Sequence, residues 1–226
     1  MTAEATQVFI TGGTGYVGSR LIPVLQRQGC SVRALVRPGS ERKLPAGCEV
    51  VVGNPLDRAT FEDAIEPYSA FVQLVGVPHP SPAKAQQFYD IDLVSARASI
   101  DAAAARQVDH FVYVSVAQPA PVMKAYVATR QKAEALIRAS GIAATFVRPW
   151  YVLGPGHRWP YALLPMYALL RLIPATRESA ERLGLVTIGQ MVAALVHAVE
   201  DAVDGGVRVI DVPAIRQSRS RLNPPV

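Results

Sequence analysis

Residues 8–18 read VFITGGTGYVG, and this stretch decides how the rest of the chain is interpreted. A short apolar strand runs into a loop of small residues, and a helical pattern starts near Tyr16. The glycines at 12, 15 and 18, with one more at 13, have the spacing G-x-x-G-x-x-G. Glycine permits a sharp turn, lets the backbone approach a pyrophosphate and lets a helix pack closely on a strand, while the helix start offers unpaired N–H groups. The stretch therefore predicts dinucleotide binding; a glycine-rich turn without a ligand is the alternative.

Composition and charge limit the classes of protein to which the chain can belong. The 226 residues are 50% hydrophobic, which suits one domain with a substantial core. The net charge of +5 comes from scattered Lys and Arg residues, which favours a small anionic ligand over nucleic acid; a solvated basic surface is the simpler alternative. The first residues, MTAEATQVF, have no basic start, and the apolar segment 161–170 is short and contains a proline. We therefore expect a cytoplasmic protein without stable membrane insertion.

Strands and helices alternate along the chain. Strands are predicted at 8–10, 31–36, 49–52, 70–75, 110–116 and 143–148, and helices at 16–28, from 59 onward, at 83–106 and at 123–140. Further short strands at 183–188 and 207–212 flank a helix at about 190–201. Six strands with helical crossovers predict an α/β fold with a doubly wound parallel sheet, whose ligands bind at the carboxyl ends of the strands.

The end of the second predicted strand indicates which dinucleotide is bound. In folds of this type an acidic residue at this place accepts the ribose hydroxyls of NAD, whereas an arginine can pair with the 2′-phosphate of NADP. Arg37 follows the strand directly, Arg42 and Lys43 come shortly after it, and Glu41 is the first acidic residue beyond it. The sequence therefore favours NADP(H), and NAD(H) is the alternative if Arg37 is only a surface residue.

Further motifs follow the glycine-rich stretch in order. They are ALVRP at 34–38, GNPLD at 53–57, FVYVS at 111–115, a helix with Y-x-x-x-R and a following Glu at 126–134, and VRPWYVLGPG at 147–156. Together with TGGTGYVG, they resemble the atypical short-chain dehydrogenase/reductase family from about residue 6 to 213. The resemblance implies a single NAD(P)-binding Rossmann domain at 1–213, with substrate and small C-terminal cap elements from about 154 to 213, and leaves a basic tail at 214–226. The reaction stays open, since the family includes reductases, isomerases, epimerases and members without catalysis.

The resemblance also implies roles for residues along the carboxyl edge of the sheet. Gly12, Thr14, Gly15, Tyr16, Val17 and Gly18 would form the pyrophosphate site, and Arg37 would hold the 2′-phosphate. Asn54 and Leu56 would flank the adenine, Val75 and Gly76 would lie on the adenine ribose side, and Pro149, Trp150, Tyr151 and Val152 would border the nicotinamide. No group of His, Cys, Asp or Glu has the spacing of a metal site, so no metal is expected.

The chain departs from the family pattern at the proton-transfer positions. Active members use a tyrosine and, four residues later on the same helix face, a lysine that binds the nicotinamide ribose. Tyr126 fits the first position, but Arg130 takes the second and keeps the charge of lysine without its shape. The family's serine or threonine aligns with Val116, one residue after Ser115. Tyr126, Arg130 and Ser115 are the catalytic candidates; a surface tyrosine, a solvated arginine and a strand-end serine are the alternatives.

Two functions of different classes fit these residues. The first is an NADP(H)-dependent oxidoreductase for a small, fairly apolar carbonyl or conjugated substrate, with Tyr126 as proton donor and the apolar segment 159–173 as part of the substrate wall. The second is a non-catalytic NADP(H)-binding sensor or assembly factor, which the departures at positions 116 and 130 favour. The segment after Gly154 is short for a nucleotide-sugar epimerase or dehydratase. We expect a monomer or a homodimer.

Overall fold

A seven-stranded parallel sheet lies at the centre of the residues that the computed structural model describes, which are 5–156, 162 and 173–218. Its strands are β1 (Gln7–Thr11), β2 (Ser31–Val36), β3 (Glu49–Val52), β4 (Ala70–Gln73), β5 (His110–Val114), β6 (Ala144–Val147) and β9 (Val207–Ile210), in the spatial order β3-β2-β1-β4-β5-β6-β9. β7 (Tyr151–Leu153) and β8 (Leu185–Thr187) form a separate parallel pair. The predicted doubly wound α/β sheet is confirmed, with a seventh strand because β9 pairs with β6. The strand order reverses between β1 and β4, which opens a ligand crevice at their carboxyl ends.

Helices cover both faces of this sheet. They are α1 (Gly18–Arg27), α2 (Ala85–Gln87), α3 (Val94–Ala105), α4 (Lys124–Ser140), α5 (Pro174–Arg182), α6 (Ile188–Glu200) and α7 (Val212–Gln217). α1 packs against α6 on one face, and α3 packs against α4 on the other. Successive residues of a strand point to opposite faces of the sheet. Val8 and Ile10 belong to the apolar cluster with α1 and α6, and Phe9 belongs to the cluster with α3 and α4. The sheet is therefore buried on both faces, as parallel sheets are.

Two strands end earlier than their apolar runs predict. β4 ends at Gln73 instead of residue 75, and β5 ends at Val114 instead of residue 116. Val75 and Ser115 consequently lie in the loops at the carboxyl edge of the sheet, Val75 partly exposed and Ser115 buried.

The helix predicted from residue 59 is wrong. The segment forms two 3-10 turns, Arg58–Thr60 and Glu62–Ala64. The Asp57 carboxylate accepts the N–H of Ala59 at 3.2 Å, and such local side-chain hydrogen bonds compete with those of a helix.

The helix predicted at 83–106 is interrupted. A 3-10 turn, Pro82–Lys84, precedes α2, and a π-helical turn, Phe88–Leu93, separates α2 from α3. Within the wider π turn Asp92 is buried, as are Phe88 and Leu93. Single π turns of this kind frequently lie at functional sites.

The C-terminal part contributes to the main layers of the fold. The region 154–213 was predicted to carry substrate and cap elements. Within it, β9 is a strand of the central sheet, and α6 packs on one face of that sheet. Residues 214–217, predicted as the start of a tail, belong to α7, and Arg216 Nε donates to Leu185 O at 2.9 Å. Most of the predicted apolar wall at 159–173 and residues 219–226 lie outside the described residues. None of the helices in the described ranges has the length and apolar character needed to cross a membrane.

Candidate functional site

The loop after β1 packs its backbone against the backbone that follows β4. Gly12 has a φ of +77°, a left-handed conformation that glycine adopts without strain. A Cβ atom on Gly12 would lie 2.9 Å from the carbonyl carbon of Leu74. The N–H of Gly15 donates to Gly12 O at 3.0 Å and closes a tight turn. Both the dihedral angle and the neighbouring strand end therefore require glycine at position 12.

Gly18 allows the first turn of α1 to pack on the same loop. A Cβ atom on Gly18 would lie 2.5 Å from the carbonyl oxygen of Gly12. The backbone N–H groups of Thr14 and Val17, at the start of the helix, have no acceptor among the described residues. Free donors at a helix N-terminus, next to glycines that leave no room for a Cβ atom, fit a pyrophosphate. The structure thus gathers the predicted pyrophosphate residues, although α1 begins at Gly18 and not near 16.

Three cations lie in the loop that follows β2. Arg37, Arg42 and Lys43 are exposed, and none of their side chains has a hydrogen bond or ion pair with another described residue. Glu41 is engaged locally: backbone N–H groups, its own and that of Gly39, donate to its carboxylate and lower its pKa. Because β2 pairs with β1, these cations lie near the glycine loop and are available to a phosphate.

The loop after β3 brings Asn54 and Leu56 beside the end of β2. Gly53 N–H donates to Val36 O at 2.9 Å, which fixes the start of this loop. Asn54 Oδ1 accepts the N–H of Leu56 at 3.1 Å, so the side-chain oxygen of Asn54 serves the loop itself. The residues predicted at the adenine are therefore grouped with Arg37 at one end of the site.

Gly76 and Arg130 are in contact below the loop that follows β4. A Cβ atom on Gly76 would collide with Nη2 of Arg130, which is 4% exposed. This Nη2 donates to Asp92 Oδ2 at 3.0 Å, and Nη1 donates to Tyr113 OH at 3.2 Å and to Val114 O at 3.0 Å. Arg130 is therefore not a solvated arginine. The resemblance assigns Gly76 and Arg130 to different riboses, but their contact groups them at the same end of the site.

Burial determines the protonation of the groups around Arg130. Burial raises the pKa of the Asp92 carboxyl, and the charge of Arg130 and the N–H of Val77 oppose this increase. Burial alone would lower the pKa of Arg130, but Tyr113, Tyr126 and Asp92 outweigh it and raise that pKa. Burial also raises the pKa of Tyr113 to about 12, so the Tyr113 hydroxyl keeps its proton at neutral pH.

Tyr126 lies beside this arginine, one turn earlier on α4. The centroid of its ring is 5.2 Å from Cζ of Arg130 and 5.0 Å from the centroid of the Phe88 ring. The four-residue spacing thus brings Tyr126 and Arg130 together on one helix face, as predicted. Tyr126 is only partly buried, so it combines contact with a buried cation and access to the crevice.

Ser115 is bound to a second buried cluster. Its Oγ donates to Glu134 Oε1 at 2.6 Å, and Gln118 Nε2 donates to the same oxygen at 3.0 Å. Arg148 binds both carboxylate oxygens, with Nε at 2.9 Å and Nη2 at 2.5 Å. Val116, the residue at the family's serine position, is buried with 2% exposed. The O–H of Ser115 is therefore committed to linking β5 to α4.

The segment after β6 borders the same edge of the sheet. It contains the residues predicted at the nicotinamide, which are Pro149, Trp150, Tyr151 and Val152. Pro149 O accepts the N–H of Ala117 at 2.9 Å, which ties this segment to the loop after β5. A Cβ atom on Gly154 would collide with the hydroxyl of Tyr16. The glycine loop and β7 therefore meet across the crevice.

Sequence reasoning missed two acidic residues of this site, Asp92 and Glu134. Glu134 lies four residues after Arg130, and this spacing was a usable signal that both share the inward face of α4. Asp92 lies in a π turn, where helical periodicity does not predict an inward side chain. Within the described ranges, no three His, Cys, Asp or Glu residues are grouped as a metal site requires.

Comparisons with known proteins identify the family. A family model described as NAD(P)H-binding matches residues 12–159. A ceramide reductase of Caulobacter vibrioides is 27% identical over 207 residues, which are 91% of this chain and 64% of the reductase, so the chain spans less than two thirds of that relative's length.

Solved structures share the fold. The enzyme WbmH of Bordetella bronchiseptica in complex with NAD+ has a TM-score of 0.68 at 21% identity, over 92% of this chain and 76% of that chain. A UDP-N-acetylglucosamine 4-epimerase of Bacillus cereus has a TM-score of 0.68 at 15% identity, over 92% and 79%. The chain belongs to the NAD(P)H-binding family and is a Rossmann-type, atypical short-chain dehydrogenase/reductase that binds a pyridine nucleotide.

Proposed function

We propose that the protein is an NADP(H)-dependent oxidoreductase that acts on a small, fairly apolar carbonyl or conjugated substrate. One observation carries the proposal: the ring centroid of the partly buried Tyr126 lies 5.2 Å from Cζ of Arg130. The Arg130 guanidinium in turn contacts Gly76 at the carboxyl edge of the sheet. A tyrosine beside a fixed cation at this edge has the composition of a proton-transfer site. The similarity to a ceramide reductase supports reduction over other reactions.

Each group would have a distinct part in the reaction. The nicotinamide supplies or accepts the hydride when it is bound. Tyr126 donates its phenolic proton to the substrate oxygen in the reducing direction and recovers a proton from solvent, to which it has access. Arg130 and Gly76 would together face the nicotinamide ribose, since their contact assigns them to one end of the site. Pro149, Trp150, Tyr151 and Val152 would border the nicotinamide ring.

Reduction of candidate substrates tests this proposal. Purified protein is incubated with NADPH and a panel of aldehydes, ketones and quinones, and the loss of NADPH absorbance is followed. For any substrate found, Tyr126→Phe should lower turnover by about 100-fold or more while the Kd for NADPH changes little, because only the proton donor is removed. Tyr68→Phe is the matched control, since Tyr68 is 69% exposed. Full turnover by Tyr126→Phe would contradict the proposed role.

The exposed cations after β2 support the proposed preference for NADP(H). The Arg37 side chain has no hydrogen bond or ion pair with another described residue and can pair with a 2′-phosphate. We expect Arg37→Ser to weaken NADPH binding by about tenfold to 100-fold and to leave NADH binding unchanged. Arg27→Ser, at the far end of α1, is the control. A Kd for NADH equal to or lower than that for NADPH in the unmodified protein would contradict the preference for NADP(H).

A non-catalytic, NADP(H)-binding sensor or assembly factor is the second candidate. The specific observation in its favour is that the Ser115 hydroxyl donates to Glu134, so the residue nearest the family's serine position has no free O–H for a substrate. Tight NADPH binding without oxidation of NADPH by any member of the panel would support this function over the first.

A cytoplasmic location is part of the proposal. Cys30 and Cys48 are both free thiols, which supports a reducing compartment. Burial raises the pKa of the Cys48 thiol to about 11, so this group is also a weak nucleophile at neutral pH. Fractionation of the producing cells with an antibody to the chain would test the location.

A further inference from the structure

The guanidinium of Arg130 is held in one orientation by three acceptors from two parts of the fold, β5 and the π turn. Tyr113 and Val114 on β5 accept from Nη1, and Asp92 from the π turn accepts from Nη2. A guanidinium has five N–H donors, so two remain, on Nε and on Nη2. Nε is buried and has no partner within the described residues. The second N–H of Nη2 belongs to the nitrogen that lies beside Gly76.

The Asp92 carboxylate joins the arginine to the loop that forms the floor of the crevice. Its side chain is 0% exposed. Oδ2 accepts from Arg130 Nη2 at 3.0 Å, and Oδ1 accepts the backbone N–H of Val77 at 2.8 Å. Val77 directly follows Gly76, so one carboxylate fixes both the guanidinium and the backbone that lies against it.

This arrangement also requires glycine, which has no side chain, at position 76. A Cβ atom on Gly76 would collide with Arg130 Nη2 and would lie 3.7 Å from Asp92 Oδ2. A lysine at 130 would supply one ammonium instead of a planar fork and would not bind Tyr113, Val114 and Asp92 with the same geometry. The arginine, the aspartate and the glycine therefore form one unit.

We propose that Asp92 is a positioning residue for nucleotide binding: it orients Arg130 so that Nη2 is presented beside Gly76 to the nicotinamide ribose. This inference rests on the proposed placement of the nicotinamide ribose at Arg130. It does not require turnover, because it concerns binding of the nicotinamide half of the nucleotide.

Binding of whole and half nucleotides tests the inference. The Kd values of NADPH and of adenosine 2′,5′-bisphosphate, which lacks the nicotinamide half, are measured by calorimetry for the unmodified protein and for Asp92→Asn. We expect Asp92→Asn to weaken NADPH binding at least tenfold and to change binding of adenosine 2′,5′-bisphosphate less than twofold. Asp90→Asn is the matched control, since Asp90 lies in the same π turn but is exposed, and its side chain accepts from Gln86 alone among the described residues. Its Kd for NADPH should stay within twofold.

A double-mutant cycle shows whether Asp92 acts through Arg130. Arg130→Met and the double variant Arg130→Met with Asp92→Asn should lose the same factor in NADPH affinity as Asp92→Asn alone. Independent, multiplying losses would overturn the inference. A folded Asp92→Asn protein that binds both ligands normally, or loses affinity for both equally, would show a structural ion pair only.

A charge-preserving variant covers the case in which Asp92→Asn does not fold. Asp92→Glu keeps the carboxylate but moves it by one methylene group, and we expect a smaller selective loss of NADPH affinity, about threefold. NADPH binding by Asp92→Glu equal to that of the unmodified protein would contradict the inference. Since no substrate enters these measurements, the absence of oxidoreductase activity would not affect their outcome.

Discussion

The two halves of the carboxyl edge are built in different ways. In the phosphate region, residues 12–18 and 37–43, backbone packs on backbone, and the exposed cations have no partners within the described residues. The proton-transfer region comprises Ser115, Tyr126, Arg130, Asp92 and Glu134. Here buried charged side chains form hydrogen bonds and ion pairs with one another and with their neighbours. The packing of the phosphate region therefore depends on the absence of a Cβ atom at its glycines, whereas the packing of the proton-transfer region depends on paired charges. Substitutions should accordingly act by steric overlap in the first region and by uncompensated charge in the second.

The largest effect on stability is expected at Glu134. Glu134→Gln removes the negative charge that Arg148 binds at 2.9 and 2.5 Å, and it leaves a largely buried cation without a charged partner. We expect a loss of about 3 kcal/mol in the free energy of unfolding, measured by urea denaturation, because breaking a buried ion pair is costly.

An exposed ion pair provides the control for Glu134. Glu178 is paired with Arg182 on α5, but its side chain is 92% exposed. Glu178→Gln should therefore cost less than about 0.5 kcal/mol. If Glu134→Gln were as mild as Glu178→Gln, the proton-transfer region would not depend on paired charge, and the contrast between the two regions would fail.

The second effect is expected from steric overlap in the phosphate region. The Cβ atom of Gly18→Ala would lie 2.5 Å from Gly12 O and 2.7 Å from Gly13 Cα, so the backbone of the loop must move. We expect a loss of about 2 kcal/mol in stability and at least tenfold weaker NADPH binding, measured by urea denaturation and calorimetry.

Gly189→Ala is the matched control for this substitution. The nearest atom to a Cβ at position 189 is Thr187 Oγ1 at 3.9 Å, so the added methyl group has room in α6. This variant should be as stable as the unmodified protein or slightly more so, since alanine favours the helix. Unchanged NADPH affinity in Gly18→Ala would show that the tight loop is not needed for binding.

The same contrast explains what the sequence could predict. The glycine spacing and Arg37 can be interpreted from the residues next to them in the sequence. The strand order of doubly wound sheets then brings their segments together by a general rule. The fold, and the grouping of these segments at the carboxyl edge of the sheet, were therefore predictable, whereas phosphate binding by them stays a prediction. The pairs Asp92 with Arg130 and Ser115 with Glu134 join residues far apart in the chain, and the π turn that buries Asp92 breaks helical periodicity. Neither pair follows from spacing along the chain alone.

The third and smallest effect on stability concerns His110, a buried group that is neutral and has no charged partner among the described residues. His110 begins β5, at the end opposite to Ser115, and is 1% exposed, with its Nε2 3.0 Å from Thr145 Oγ1. Burial, with the nearby charge of Arg208, lowers the pKa of His110 to about 4. The unfolded chain, with an ordinary histidine pKa of about 6.5, therefore binds more protons than the folded protein between pH 4 and 6.5.

Stability should consequently fall as the pH falls through this window. From pH 7.5 to 5.5 we expect His110 to account for a loss of about 1 kcal/mol in the free energy of unfolding. His110→Gln removes this titration, so the difference in stability between the variant and the unmodified protein should narrow by that amount at pH 5.5, while other titrating groups cancel in the comparison. A constant difference in stability between pH 7.5 and 5.5 would mean that the pKa of His110 is the same in the folded and the unfolded protein. The contrast between a neutral buried group at the start of β5 and paired charges near its end would then fail.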